Sequence, residues 1–148
     1  MLRLVALLAA IVLPASGFSH APGEKTTEKP ATTGNGTTVL AGSLAHQNDA
    51  PILKVKERSY ILTSADNSIL TTLADVRNRG RQLELHGRWK NPETFVVERF
   101  LVRREGKLFK LVYYCDVCNI TTYQPGPCDC CREPTEPREI PYDPRGVH

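Results

Sequence analysis

A mainly β (α+β) fold, a small barrel or curved meander of strands with one short helix and a C-terminal cysteine cluster, is predicted by three observations. Gln82 to Lys90 alternates, with Leu83, Leu85 and Trp89 on one side and Gln82, Glu84, His86, Arg88 and Lys90 on the other, as a half-buried strand requires. Ile69, Leu70, Leu73 and Val76 instead recur at helical spacing. All five cysteines fall between Cys115 and Cys131, so they form a local device and not a framework of crosslinks.

The elements follow in order. Ile52 to Lys56 and Tyr60 to Thr63 are short β-branched stretches that read as strands or as one bent strand. The helix can be capped by Asp66, Asn67 or Ser68 and closed by Gly80, with its apolar stripe packed on the sheet. Asn91-Pro92-Glu93 turns the chain after the alternating strand. Thr94 to Arg104 is the next strand, and its apolar face shifts from Phe95 and Val97 to Phe100 and Val102, which predicts a β-bulge near Glu98 and Arg99. Glu105-Gly106 makes a tight hairpin, because glycine takes the positive φ that a two-residue turn demands. The last strand, Leu108 to Tyr114, runs directly into Cys115.

Across residues 52–114 this order of strands and helix resembles the OB-fold, a five-stranded barrel found in exported binding modules and in nucleic-acid binders. The likeness lies in pattern and carries no ligand surface with it. The basic residues Arg88, Arg99, Arg103, Arg104, Lys107 and Lys110 beside Trp89, Phe95 and Tyr113 could form a face for single strands. Interspersed Glu84, Glu93, Glu98 and Glu105, with a net charge of only +3, favour a wet sheet face instead, and no nucleic-acid partner is expected.

The ends of the chain read as accessory segments. Arg3 precedes an apolar run from Leu4 to Leu13, which is too short to span a bilayer but suits a signal-peptide core. Pro14 breaks the run and Ala15-Ser16-Gly17 supplies small residues for a cut after Gly17, so residues 1–17 are expected to be a signal peptide of an exported bacterial protein, periplasmic or extracellular, with no stable membrane anchor after cleavage. Residues 18–50 are rich in Ser, Thr, Gly, Pro and Asn, and read as a disordered linker in which His20 and His46 are solvated. Residues 51–114 form the β-rich domain. Residues 133–148, with Pro134, Pro137, Pro141 and Pro144 among charges, read as an extended or disordered tail. Asn35-Gly-Thr37 and Asn119-Ile-Thr121 match the glycosylation pattern, which is short enough to arise by chance.

Residues 115–132 carry the strongest signal. Cys115-Asp-Val-Cys118 and Cys128-Asp-Cys-Cys131 are two C-x-x-C pairs, and Pro125-Gly126-Pro127 reverses the chain between them. Zinc takes four ligands in a tetrahedron with sulfur at about 2.3 Å, and two facing C-x-x-C turns deliver that geometry with little chain. Cys115, Cys118, Cys128 and Cys131 are the expected ligands of a structural zinc ion, and Cys130, in the middle of its turn, is expected to point away. Four thiolates close the shell and leave no place for a reactive water. An exported chain also offers disulfides within or across the pairs; the fifth cysteine leaves that count uneven.

The paired turns resemble a zinc ribbon, and Tyr-Tyr-Cys115 with Pro-Gly-Pro-Cys128 resembles short heavy-metal-binding domains of bacterial exporters. The stretch Tyr113-Tyr-Cys-Asp-Val-Cys-Asn-Ile-Thr through Pro125-Gly-Pro-Cys-Asp-Cys-Cys-Arg-Glu-Pro is similar to the end of uncharacterised exported proteins of planctomycete-like bacteria, which implies a compartment and a motif but no activity. Ribbon turns place glycine after the second cysteine. Here those places hold Asn119, which tolerates left-handed backbone, and Arg132, which does so less readily.

No nucleophile with base and acid, paired-carboxylate motif or phosphate loop is visible, and His86 lacks a recognisable partner, so no enzyme is expected. The first expectation is a noncatalytic binding or interaction module, its partner a protein or a cell surface. The second is a metal-handling protein for zinc or copper. The third, a thiol-disulfide oxidoreductase using Cys115 and Cys118, needs a helix after the pair, and Asn119 to Pro125 does not read as one.

Overall fold

The structure, a computed structural model, describes residues 32–33 and 36–145. The expected signal peptide and His20 lie outside the described residues. In chain order the elements are β1 (Thr32–Thr33), β2 (Thr37–Gln47), β3 (Ala50–Val55), β4 (Arg58–Thr63), α1 (Asn67–Ala74), a 3₁₀ turn (Val76–Asn78), β5 (Gln82–Asn91), β6 (Thr94–Arg104), β7 (Lys107–Cys115), β8 (Ile120–Thr122) and β9 (Glu136–Pro141).

Five of these strands close a hydrogen-bonded ring. β2 pairs with β3, β3 with β4, β4 with β6, β6 with β5, and β5 returns to β2. Every contact is antiparallel except that of β4 with β6. The residues that alternate inward fill the ring: Leu40 and Leu44 from β2, Leu53, Leu62, Leu83, Leu85, Phe95, Val97 and Val102, with Leu73 from α1. Trp89 is half-buried and meets Tyr60 and Phe95 edge-on, each at 5.0 Å between ring centroids.

The ring begins earlier than the sequence predicts. The linker expected over residues 18–50 contains β2, whose Leu44 is 2% exposed and whose register runs along both β5 and β3. Composition misleads here because Ala41-Gly42-Ser43 looks like linker sequence. Gly42 is required where β2 crosses from one partner to the other: a Cβ there would collide with the Lys54 carbonyl. His46 is likewise not solvated; it is half-buried with Nε2 2.9 Å from the Leu73 carbonyl oxygen.

The local signals over the rest of the ring match the structure. Asp66 caps α1, its carboxylate accepting from the Ser68 N–H at 2.8 Å. The helix stops at Asp75, which opens the 3₁₀ turn, so Val76 lies off the apolar stripe and is 57% exposed, contrary to expectation. The β5–β6 register shifts between His86 and Gly87, and Glu98 is the extra residue opposite, the bulge that the shift of phase predicts. Glu105 and Gly106 turn with φ of 51° and 75°.

β7 joins the ring only through three paired positions with β6 and carries β8 along its far end and β9 along its other edge. The expected tail is thus partly a strand. Pro137 and Pro141 share a parity, so both missing N–H groups can fall on the edge that pairs with nothing. Glu139 of β9 faces the guanidinium groups of Arg81 and Arg104. Among the described residues no helix is long and apolar enough to cross a membrane.

Candidate metal centre

The last residue of β7 is Cys115, buried where β7 meets β8. Asp116 and Val117 form the tip of a turn, Cys118 follows, and Asn119 takes a φ of 58°. The Asn119 N–H donates to the Cys115 carbonyl at 2.9 Å, and the Cys118 N–H points at the Cys115 Sγ at 3.5 Å. β8 then returns antiparallel along Tyr113 to Cys115. Strand, and not helix, follows this C-x-x-C pair.

The second turn repeats the first. Arg132 takes a φ of 65°, its N–H donates to the Cys128 carbonyl at 2.9 Å, and the Cys128 N–H donates to the Glu133 carbonyl at 2.8 Å. Gly126, at φ 153°, reverses the chain between its flanking prolines, and a bridge between Pro127 and Pro134 closes the base of the turn.

The two turns face each other. The Sγ atoms of Cys115, Cys118, Cys128 and Cys131 all lie within 4.8 Å of one another, and those of Cys115 and Cys131 are 3.5 Å apart. All five cysteines are free thiols. Sulfurs at about 2.3 Å from a tetrahedral ion stand roughly 3.8 Å apart, so the observed spacing fits an ion among four mutual neighbours, not two bonded pairs. Cys115 and Cys128 are buried, Cys118 and Cys131 half-buried, and Cys130 is exposed and outside the group of four.

The electrostatics are those of donors sharing one space. Backbone N–H groups of Cys131 and Cys130 lower the Cys128 thiol to about 7. Cys118 is pushed up by the thiols of Cys130 and Cys131 and then by burial. At Cys115 the Cys118 N–H pulls down, but burial and the neighbouring thiols win and raise it. Four sulfurs this close cannot all ionise without a counter-charge, and a divalent ion supplies one. An all-thiol donor set at tetrahedral spacing suits zinc or iron and does not suit calcium or magnesium.

A buried polar network fastens this hairpin to the ring. The Tyr113 hydroxyl donates to Asp75 Oδ2 at 2.9 Å and accepts from Asn78 Nδ2 at 2.8 Å. Arg77 donates to the Thr135 carbonyl at 2.7 Å, the Thr135 hydroxyl to the Gly126 carbonyl at 2.7 Å, and the Thr72 hydroxyl to the Tyr123 carbonyl at 3.3 Å. Burial pushes the Asp75 carboxyl up, but hydrogen bonds from Arg77 and Tyr113 outweigh it and hold the group below its ordinary value. Burial raises the Tyr113 phenol. These polar residues carry no local sequence signal, because their partners are remote in the chain.

On the sheet surface His86 does have partners. Its Nε2 lies 3.1 Å from Glu84, and its Nδ1 accepts from Arg99 at 3.3 Å. Arg103 also pairs with Glu84, at 2.5 Å, and Arg88 with Glu98, at 2.6 Å. No protein-family model, curated protein or solved structure matches the chain.

Proposed function

We propose that this chain is an exported, noncatalytic binding module in which Cys115, Cys118, Cys128 and Cys131 hold one structural zinc ion. The observation that carries the reading is the mutual approach of the four thiols within 4.8 Å on two turns of the same backbone design. Zinc would fix the hairpin after β7, and the chain's own residues would dock that hairpin through Tyr113, Thr72 and Arg77. Export is supported by the sequence alone, through the apolar run Leu4 to Leu13 and the small residues before Phe18. An OB-like ring is supported by the order of its strands: α1 lies between β4 and β5, and β4 runs parallel to β6. On this reading the ring starts at Thr37, not at residue 52.

Metal analysis with thiol counting tests the proposal. The purified chain should carry close to one zinc, with the four thiols reacting only after denaturation with a chelator. Metal-free protein with two disulfides by mass would sink it. A metal carrier is the second reading, favoured by the exposed Cys130, which sits next to Cys131 in the chain and offers an incoming or departing ion a fifth sulfur. Rapid exchange of zinc with no loss of fold would select the carrier.

A further inference from the structure

β6 and β7 part early. Their pairing ends at Val102 and Phe109, β9 occupies the other edge of β7, and β8 reaches back only to Tyr113. Between Phe100 and Leu111 the two strands therefore have no strand between them, and a groove of about 230 Å³ opens there. Its walls are apolar and aromatic: Ile69 from the first turn of α1, Phe100, Leu111, Tyr123 from the cysteine hairpin, and Tyr142 after β9.

The lip of the groove is cationic. Lys110 is half-buried, its ammonium 5.9 Å from the centre of the Tyr142 ring, and among the described residues no carboxylate lies within 4 Å of it. Arg99 also lacks an acidic partner among the described residues, its side chain donating a hydrogen bond to His86 on β5. Glu98 cannot neutralise either, because Arg88 holds its carboxylate at 2.6 Å. The Ser68 hydroxyl is committed to Asp66 at 2.7 Å. An apolar hollow with uncompensated cations at its mouth complements an anion with an apolar body.

We propose that this groove binds a small amphipathic carboxylate, its acyl or aryl body between β6 and β7 and its carboxylate at Lys110, with Arg99 as a second cation. A cavity of 150 Å³ holds benzene, so this volume suits a body of roughly ten heavy atoms. The inference goes beyond the metal reading: Lys110, Arg99, Phe100 and Leu111 all belong to β6 and β7, and of the walls named only Tyr123 comes from the cysteine hairpin.

The test titrates octanoate, 1-octanol and octylammonium into the isotope-labelled full chain and follows amide shifts by NMR. Octanoate should bind saturably, with shifts centred on Phe100, Leu111 and Tyr123, and about tenfold tighter than octanol, the scale of one charge-assisted contact. Lys110→Gln should bring octanoate down to the octanol level while leaving octanol unchanged; Arg99→Gln, on an exposed side chain, should act in the same direction and guards against misfolding of the first variant. Equal affinity for octanoate and octanol would overturn the proposal, as would tighter binding of octylammonium or no saturable shift. So would a peptide with a free apolar C-terminal residue that outcompetes octanoate, or a dimer by light scattering that hides the groove.

Discussion

Asn119 and Arg132 hold equivalent places, each directly after the second cysteine of its turn and each in the left-handed region, at φ 58° and 65°. Asparagine visits this region readily; arginine does so at a cost of about 1 kcal/mol. The second turn therefore stores strain that the first does not. The Arg132 side chain makes no hydrogen bond among those the structure shows and is exposed, so nothing local offsets the cost.

Arg132→Gly should raise the stability of the metal-loaded chain by about 0.5 kcal/mol or more, the relief of strain being partly offset by the greater freedom of glycine in the unfolded chain. Arg132→Val should lower it by about 1–2 kcal/mol, because a β-branched residue fits this backbone worst. Thermal unfolding of the pair checks the sign. Equal melting temperatures would mean that the backbone of this turn is not left-handed in solution.

The cysteines should divide into two classes. Serine at Cys115, Cys118, Cys128 or Cys131 leaves an incomplete shell, so bound zinc and the order of residues 115–132 should fall together. Cys130→Ser should keep one zinc per chain. Metal analysis beside hydrogen exchange separates the classes, and the exchange should slow again only in variants that retain metal. Loss of zinc in Cys130→Ser with retention in Cys131→Ser would assign the second pair to Cys128 and Cys130.

β2 gives a direct test of where the ring begins. Leu44 is 2% exposed and belongs to the core that Leu53, Leu83 and Phe95 share. Leu44→Ala should cost about 2–4 kcal/mol, the usual range for a buried leucine that leaves a cavity, whereas the same change in a linker would cost nothing measurable. Denaturant titration at constant m-value reads the difference.

What could be read from the sequence was local chemistry. The alternation of β5, the cap at Asp66, the bulge at Glu98, the Glu105-Gly106 turn and the two C-x-x-C pairs all announce themselves within a few residues. β2 did not, because its small residues answer to a close approach by β3 that is not visible in its own composition. β9 did not either, since proline counts against a strand unless its missing N–H faces a free edge. At the candidate metal centre the four cysteines were legible and their support was not. Asp75 and Tyr113 lie 38 positions apart, and only the packing of the 3₁₀ turn on β7 makes them partners.

That pair sets the last prediction. The Asp75 carboxyl is held below its ordinary value of 3.8, so its contribution to stability is fully present above that value and is lost as pH falls through the lower folded value. Tyr113→Phe removes one donor to Asp75 and one acceptor for Asn78, both at buried positions. At neutral pH it should cost about 1–3 kcal/mol, the usual penalty of leaving buried polar groups without partners. It should also let the carboxyl drift back toward its ordinary value, so that acid unfolding begins at a higher pH than in the parent chain. Asp75→Asn should behave differently: it removes the titrating group, so stability falls at neutral pH but this part of the acid dependence disappears. Unfolding free energies of the three proteins, measured across the acidic range at fixed ionic strength, decide the matter. Parallel curves for the parent and Asp75→Asn would show that Asp75 is not held by Arg77 and Tyr113, and that the hairpin docks on the ring without the charge at its centre.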